Sequence, residues 1–514
     1  MPGYLDAMAA ASETSVPAAV ERPRLLVRRL DLLPDAERAF VHLYGESRTA
    51  FWLDSSIVGE RGRFSFVGDG GGPLGAAISY DVEDGQVRVR RGDEVEVREE
   101  SIFDYLDRAL RALRPLTAAL PFDFDCGFAG YFGYELKAAC GAADAHRALT
   151  PDAAFVFADR LIAFDHEQRC TYLLALAGAP PELHRLLHLP DGEVDTARLV
   201  AAGEHWIEET SRRLAALPPL AEPVLGAEAV ELRLRRSADR YHDDVETCKR
   251  YLTAGHSYEI CLTNKLVAEA SPDPLMLYRA LRRANPAPFA AYLRFGDLGV
   301  LSSSPERFLA VDRHRWAEAR PIKGTSRRGE TPEKDERLAH DLRADEKSRA
   351  ENVTIVDLLR NDLGRVCEVG TVSTPDLMRV ETYETVHQLV SSVRGRLREG
   401  IGAAECARAC FPPGSMTGAP KLRTMEIIDE LEGEARGVYS GAIGYLGLGG
   451  GCDLSVAIRT IVLDQGLATI GAGGAIVIQS EPEAEFEEML LKAGGPASVL
   501  PAVGSCGHSA PRRR

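Results

Sequence analysis

One lysine stands where lysines are uncommon. Lys323 lies in Pro-Ile-Lys-Gly-Thr, between an apolar residue and a glycine, after a segment whose Phe308, Ala310, Trp316 and Ile322 are the residue types of a packed strand. It is either a stem that snorkels to water or an amine held inside for a purpose. Near the end of the chain, EAEFEEMLLK spaces Glu485, Glu488 and Lys492 by three and four residues, so they share one helical face. That face is either a solvated ion-pair stripe or a source of inward carboxylates. Glu351, Ile355, Leu358 and Asp362 share another stripe, which places Glu351 just before core residues. Two inward glutamates from separate helices would suit Mg2+, a hard ion that keeps waters and also takes a substrate oxygen. In DLSVAIRTIVL, the alternation of one strand puts Ser455, Ala457 and Arg459 opposite Leu454, Val456 and Ile458. Arg459, with small neighbours, either faces solvent or grips a ligand carboxylate bidentately.

Two glycine-bearing stretches read as anion-friendly rather than nucleotide-binding. GAGGA at 471–475 lacks the third glycine and the following helix of a dinucleotide fingerprint. As a turn it could still present backbone N–H groups to an anion. PPGSMTGAPK at 412–421 feeds a helix N-terminus, also favourable for a carboxylate. The sequence contains no G-x-x-x-x-G-K-[ST], no G-x-S-x-G and no glutaminase-like G-x-C-x-G.

The elements that must position these groups come from an ordinary globular composition. The 514 residues are 45% hydrophobic and 27% charged, with a net charge of −16. Such an acidic balance argues against a nucleic-acid or anionic-membrane binder. The ten cysteines form no C-x-x-C and no zinc spacing, as in a reduced cytoplasmic protein. The opening MPGYLDAMAAASETS lacks a basic n-region, so no secretory signal is expected, and no long apolar window predicts a membrane span.

Residues 1–22 read as a flexible tail, 23–175 as a strand-rich N-terminal domain, 176–236 as a connecting region with a helix near 196–216, 237–495 as the catalytic domain and 496–514 as a C-terminal tail. AAISYDVEDGQVRVRR predicts a hairpin about Asp-Gly, and DCGFAGYFGYEL a strand passing close to other backbone. In the catalytic domain we expect helices near 237–252, 274–284, 333–362, 384–397, 402–410, 420–431 and from 483. Strands are expected at 258–270, 288–294 and 299–312, followed by a meander through 437–480. Segregated strands and helices indicate an α+β fold with mainly antiparallel sheets.

SPERF (304–308), PIKGT (321–325), RAENVTIVDLLRNDLGR (349–365), VHQLVS (386–391), FPPGSMTGAPK (411–421), GAIGYL (441–446), IRT (458–460) and EAEFEEMLLK (483–492) occur in this order. Together they resemble the chorismate-utilising enzymes: anthranilate and aminodeoxychorismate synthase component I, and the isochorismate and salicylate synthases. The resemblance covers roughly 237–495, and FWLDSS and GYFGYEL extend it toward the N-terminus. It implies two facing antiparallel sheets flanked by helices, and Mg2+-dependent chemistry on chorismate. By motif, Glu351 and Glu488 would bind Mg2+ with Glu485 close by. Tyr439, Arg459, Gly473, Gly474, Gly324 and Thr325 would hold substrate, and Lys492 would lie at the same pocket. Glu306 would be the acid. FWLDSS resembles the Leu-x-Ser element of a tryptophan pocket in relatives, which leaves a non-catalytic binder as a distant alternative.

Lys323 separates the subfamilies. Anthranilate synthases resemble one another in Pro-Ile-Ala-Gly-Thr, and aminodeoxychorismate synthases in Pro-Ile-Lys-Gly-Thr. A lysine amine occupying C2 of chorismate would steer ammonia to C4, a covalent route that needs a neutral amine and an acid for the departing hydroxyl. Burial, or Arg320, Arg327 and Arg328 nearby, would have to lower the lysine pKa. The lysine that activates water in isochorismate and salicylate synthases corresponds to Glu259 here, which argues against those activities. The expected reaction is amination of chorismate at C4 with a glutamine amidotransferase subunit as ammonia donor; the near alternative is amination at C2. Three residues depart from the family pattern: Ser348 in place of an acid, Gln388 beside His387 in place of a histidine, and Ala475 in place of a glycine.

Overall fold

The structure is a computed structural model that describes residues 24–57, 62–113, 119–178, 181–187, 195–225, 230–383 and 386–500. The expected N-terminal tail, and the C-terminal tail from 501 onward, lie outside the described residues. Among the described residues the strands form two twelve-stranded sheets.

The N-terminal and C-terminal halves of the chain share both sheets. In the first, Thr49–Asp54 pairs antiparallel with Phe289–Phe295, Trp52 opposite Tyr292. The order continues through Leu298–Ser304, Thr460–Asp464 and Leu467–Ile476 to Glu259–Glu269. In the second sheet, Gly127–Phe132 pairs with Ala442–Gly447, Gly130 opposite Gly444. A Cβ on Gly130 would meet the Ala154 carbonyl at 2.0 Å, the close backbone passage that the glycine-aromatic run predicts. The expected hairpin forms from Ala76–Asp81 and Gln86–Arg91. One buried cluster joins the sheets through Phe51, Phe66, Phe128, Tyr131, Leu293, Leu309 and Leu454. A second cluster packs Ala36–Tyr44, Ala238–Thr253, Pro274–Ala284, Lys421–Glu432 and Pro482–Ala497 against the first sheet.

Three expected elements differ. Residues 384–397, read as a helix, contain the strand Val386–Arg396; 384 and 385 lie outside the described residues. Val386, Val390 and Val393 favour extended backbone, and three partner strands use its hydrogen bonds. The long helical run is two helices, Pro332–Ala344 and Glu346–Gly364, because Asp345 leaves helical geometry and caps the second through Ser348 N–H. The strand expected at 299–312 is broken at Pro305 into Leu298–Ser304 and Arg307–Val311, which belong to different sheets.

A buried ion pair ties three of these parts together. The Arg436 guanidinium donates to Glu432 at 2.7 and 2.8 Å, to the carbonyls of Met416 at 2.7 Å and Cys261 at 2.8 Å, and lies 4.4 Å from the Tyr134 ring centre. Glu432 in turn accepts from the Thr263 N–H and hydroxyl at 2.8 and 2.9 Å. Arg436→Met leaves the Glu432 carboxylate buried without its partner, and we expect a loss of about 3–5 kcal/mol in urea unfolding. The double variant with Glu432→Met should recover part of that loss, and failure to recover any would show that the pair's own charges are not what the single variant exposes.

Candidate active site

Lys323 is aimed by an irregularity in its strand. Ile322–Arg327 pairs with Val386–Arg396, Ile322 opposite Val390 but Thr325 opposite Gln388, so one extra residue is accommodated at Lys323 and Gly324. Such a bulge redirects side chains. Gly324 takes φ +88, and a Cβ there would lie 2.7 Å from Ser348 Oγ. Glycine is therefore required both for the turn and for the helix that abuts it.

The Lys323 amine is buried and paired. Its Nζ donates to Glu259 Oε1 at 2.6 Å and stands 3.8 Å from Glu351 Oε2. Burial opposes the charge, but Glu259 and Glu351 outweigh it and hold the ammonium above the ordinary lysine range. This corrects the expectation of a lowered pKa. The arginines named for that task are elsewhere: Arg320 pairs with Glu381 at 2.7 Å, Arg328 grips Asp335 at 2.7 and 2.8 Å, and Arg327 is exposed.

Glu306 precedes the strand Arg307–Val311 and is buried. Burial raises its carboxyl from the usual 4.5 to about 7, against a hydrogen bond from Ser415 and the field of Lys323. It can therefore carry a proton near neutrality, as a general acid must. Ser415 lies in the loop 412–421, which feeds the helix Lys421–Glu432 as expected.

The remaining carboxylates meet two further lysines. Lys347 donates to Glu485 Oε1 at 2.6 Å and stands 3.9 Å from Glu351. Glu485 is buried, and its Oε2 has no hydrogen-bond partner among the described residues. Burial raises Glu351 to about 7, opposed by Lys323. Lys492 donates to Glu488 at 2.7 Å and to the Gly473 carbonyl at 2.9 Å. Burial notwithstanding, Lys492 holds Glu488 below the usual range. The last helix thus has both expected characters: Glu488 and Lys492 form a part-exposed i,i+4 pair, while Glu485 points inward. A Cβ on Gly474 would lie 3.2 Å from Glu485 Oε2, 3.6 Å from Lys492 Nζ and 3.9 Å from Glu488 Oε1. The bare backbone there leaves room beside these groups. Their oxygen donors and the orphaned Glu485 oxygen suit a hard cation. Among the described residues, however, no three ligand-type side chains are already gathered around one metal position.

Gly473 and Gly474 do not form a turn. They lie inside the strand Leu467–Ile476, opposite Thr263 and Leu262, so most of the expected free N–H groups belong to a sheet. DLSVAIRTIVL is likewise not one strand. Cys452–Val456 belongs to the second sheet and Thr460–Asp464 to the first. The chain crosses between them with Arg459 in the left-handed region at φ +53. Arg459 donates to the Lys492 carbonyl at 2.9 Å, and its pKa is lowered by burial. No carboxylate is paired with it among the described residues, which leaves a half-buried cation suited to an anionic ligand. Tyr439 is buried over Gly471, where a Cβ would come within 2.2 Å of the ring.

Thr325 follows the bulge, pairs opposite Gln388 and is exposed. His387 is spoken for: its ring nitrogens lie 2.8 Å from Thr382 Oγ1 and 2.9 Å from Asp335 Oδ1. Ser348 fills the space against Gly324, and Ala475 sits in the strand opposite Cys261. Two cavities lie apart from these residues. One, about 290 Å³, is lined by Leu53, Asp54 and Ser55 of FWLDSS with Phe66, Arg307 and Tyr445. The other, about 590 Å³, is lined by Phe103, Cys140, Arg365 and Arg408 among others. Sequence reading missed Lys347 and Ser415, and used Glu259 without seeing its contact. Lys347, four residues before Glu351, was accessible from helical spacing; Glu259, sixty-four residues from Lys323, was not.

A family profile described as chorismate binding enzyme matches residues 72–497. The chain is 49% identical to an aminodeoxychorismate synthase of Streptomyces pristinaespiralis over 93% of its own length, and spans 65% of that relative's length. It is 38% identical to anthranilate synthase component 1 of Geobacillus stearothermophilus over 76% of this chain and 77% of that one. The crystal structure of anthranilate synthase component I from Streptococcus pneumoniae superposes with a TM-score of 0.70 at 28% identity, covering 89% of this chain and 96% of that one.

The proton on Glu306 has a measurable consequence. With its pKa raised in the folded state from 4.5 to about 7, the group favours folding most below 4.5, and that contribution is lost as pH rises through about 7. Unfolding measured from pH 4.5 to 8 should show wild type losing about 2–3 kcal/mol more than Glu306→Gln. Parallel profiles would mean that the Glu306 carboxyl titrates alike in the folded and unfolded chain.

Proposed function

The chain belongs to the chorismate-binding enzyme family, and from that premise we propose that it is the chorismate-aminating component of an aminodeoxychorismate synthase. In this reading it converts chorismate and ammonia to 4-amino-4-deoxychorismate, on the way to 4-aminobenzoate, in the cytoplasm. A glutamine amidotransferase subunit is the ammonia donor. The carrying observation is the buried Lys323, turned by its bulge toward Glu259 and Glu351 and within the field of Glu306.

Glu259, 2.6 Å from the ammonium, is the acceptor in reach of its proton. The freed amine attacks C2 of chorismate, the two ring double bonds shift, and the C4 hydroxyl leaves as water with the proton of Glu306. Ammonia then attacks C4, the double bonds shift back, and the lysine amine leaves C2. Arg459 and Tyr439 would hold substrate carboxylate, with Gly324, Thr325, Gly473 and Gly474 giving the ring room. Lys492 would help fix that carboxylate. Mg2+ would be held by Glu351 and Glu488 with Glu485 beside them. When bound it supplies Lewis-acid polarisation of a substrate carboxylate.

The test is an incubation with chorismate, MgCl2 and an ammonium salt, identifying the product by mass and assaying pyruvate. We expect aminodeoxychorismate without pyruvate, a quenched wild-type chain carrying a substrate-derived mass, and neither product nor adduct from Lys323→Ala. Glu306→Gln should cost roughly 10²–10⁴-fold in rate. Anthranilate accompanied by pyruvate would instead assign amination at C2 and remove Lys323 from the reaction path.

A further inference from the structure

Three lysines face the four carboxylates of this cluster, but they are not equally held. The Lys323 side chain is 7% exposed and locked on Glu259. Lys492 is 33% exposed, yet its amine also binds the Gly473 carbonyl and its own carbonyl receives Arg459. Lys347 is 35% exposed, and its amine's ion pairs among the described residues are with carboxylates, Glu485 at 2.6 Å and Glu351 at 3.9 Å. It sits in the first turn of Glu346–Gly364, where its long stem can swing into water without disturbing backbone hydrogen bonds.

Glu351 and Glu485 lie on different helices and are both buried, so in the absence of another cation they need this ammonium. A divalent ion entering between them meets the same oxygens that Lys347 occupies. The two cannot be held together without like-charge repulsion at close range. We propose that Lys347 is a displaceable counter-ion: it keeps Glu351 and Glu485 in register when no metal is bound, and swings out to solvent when a divalent cation enters. The inference rests on the reading of Glu351 and Glu485 as metal-side carboxylates and adds a competitor to it. Metal affinity is then set by a difference, the cation's hold on these oxygens less that of the lysine, and the exchange needs no movement of Lys323.

The experiment uses the full chain, stripped with EDTA and titrated with MgCl2 in a calorimeter, without substrate. Lys347→Met should bind Mg2+ roughly tenfold more tightly than wild type, and the charge-keeping Lys347→Arg should not. In parallel, an amine-acetylating reagent with peptide mass mapping reads the side chain directly in the unaltered protein. Acetylation of Lys347 should rise severalfold on adding Mg2+, while Lys323 stays protected. Equal Mg2+ affinity in wild type and Lys347→Met, or Lys347 reactivity indifferent to Mg2+, overturns the counter-ion role and leaves the metal reading intact. If no form binds Mg2+, and Glu351→Gln behaves as wild type, the metal reading itself fails and takes this inference with it.

Discussion

Carboxylates cannot be gathered inside a protein without cations to face them, and that requirement organises this molecule. Glu259, Glu351, Glu485 and Glu488 converge from one strand end and two helices, and Lys323, Lys347 and Lys492 are interleaved among them. An unpaired buried charge costs several kcal/mol, so each ammonium is as much a structural part of the site as each carboxylate. The same pairing sets the resting chemistry. A lysine held by two glutamates is charged, and it becomes a nucleophile only when its proton has somewhere to go.

The fold supplies this meeting point by bringing an edge of one sheet up to the other. Ile322–Arg327 ends the second sheet, while Glu259–Glu269 and Leu467–Ile476 lie side by side in the first. Two local departures from regular structure complete the arrangement. The bulge at Lys323 and Gly324 turns the amine inward, and the left-handed Arg459 marks the point where the chain passes between sheets. A non-glycine residue in that conformation costs about 1–2 kcal/mol, which the flanking strands in both sheets sustain.

Environment then gives like residues unlike roles. Glu306 and Glu488 are both glutamates of one cluster, yet burial raises the first to about 7 while Lys492 keeps the second ionised. One can carry a proton near neutrality while the other stays a carboxylate, so environment separates two groups of the same type. The ion pair of Arg436 and Glu432 supports this from behind, linking the Met416 turn next to Ser415 to the strand that begins at Glu259.

The sequence by itself determined the fold class, the family and most of the side chains in the cluster. Those depend on residue type and short-range spacing: Glu485, Glu488 and Lys492 fall on one face because a helix repeats every 3.6 residues, and ordered motifs carry the rest. Where local pattern was ambiguous it misled. Val386–Arg396 is a strand because neighbouring strands claim its backbone, and the run around Arg459 is two strands because each half belongs to a different sheet. Only the tertiary structure decided the electrostatics. Whether Lys323 is neutral or charged depends on Glu259, sixty-four residues away, and on Glu351 on a separate helix. Coulomb interactions act through space at a few ångströms, and no spacing along the chain records which charges the fold will place there.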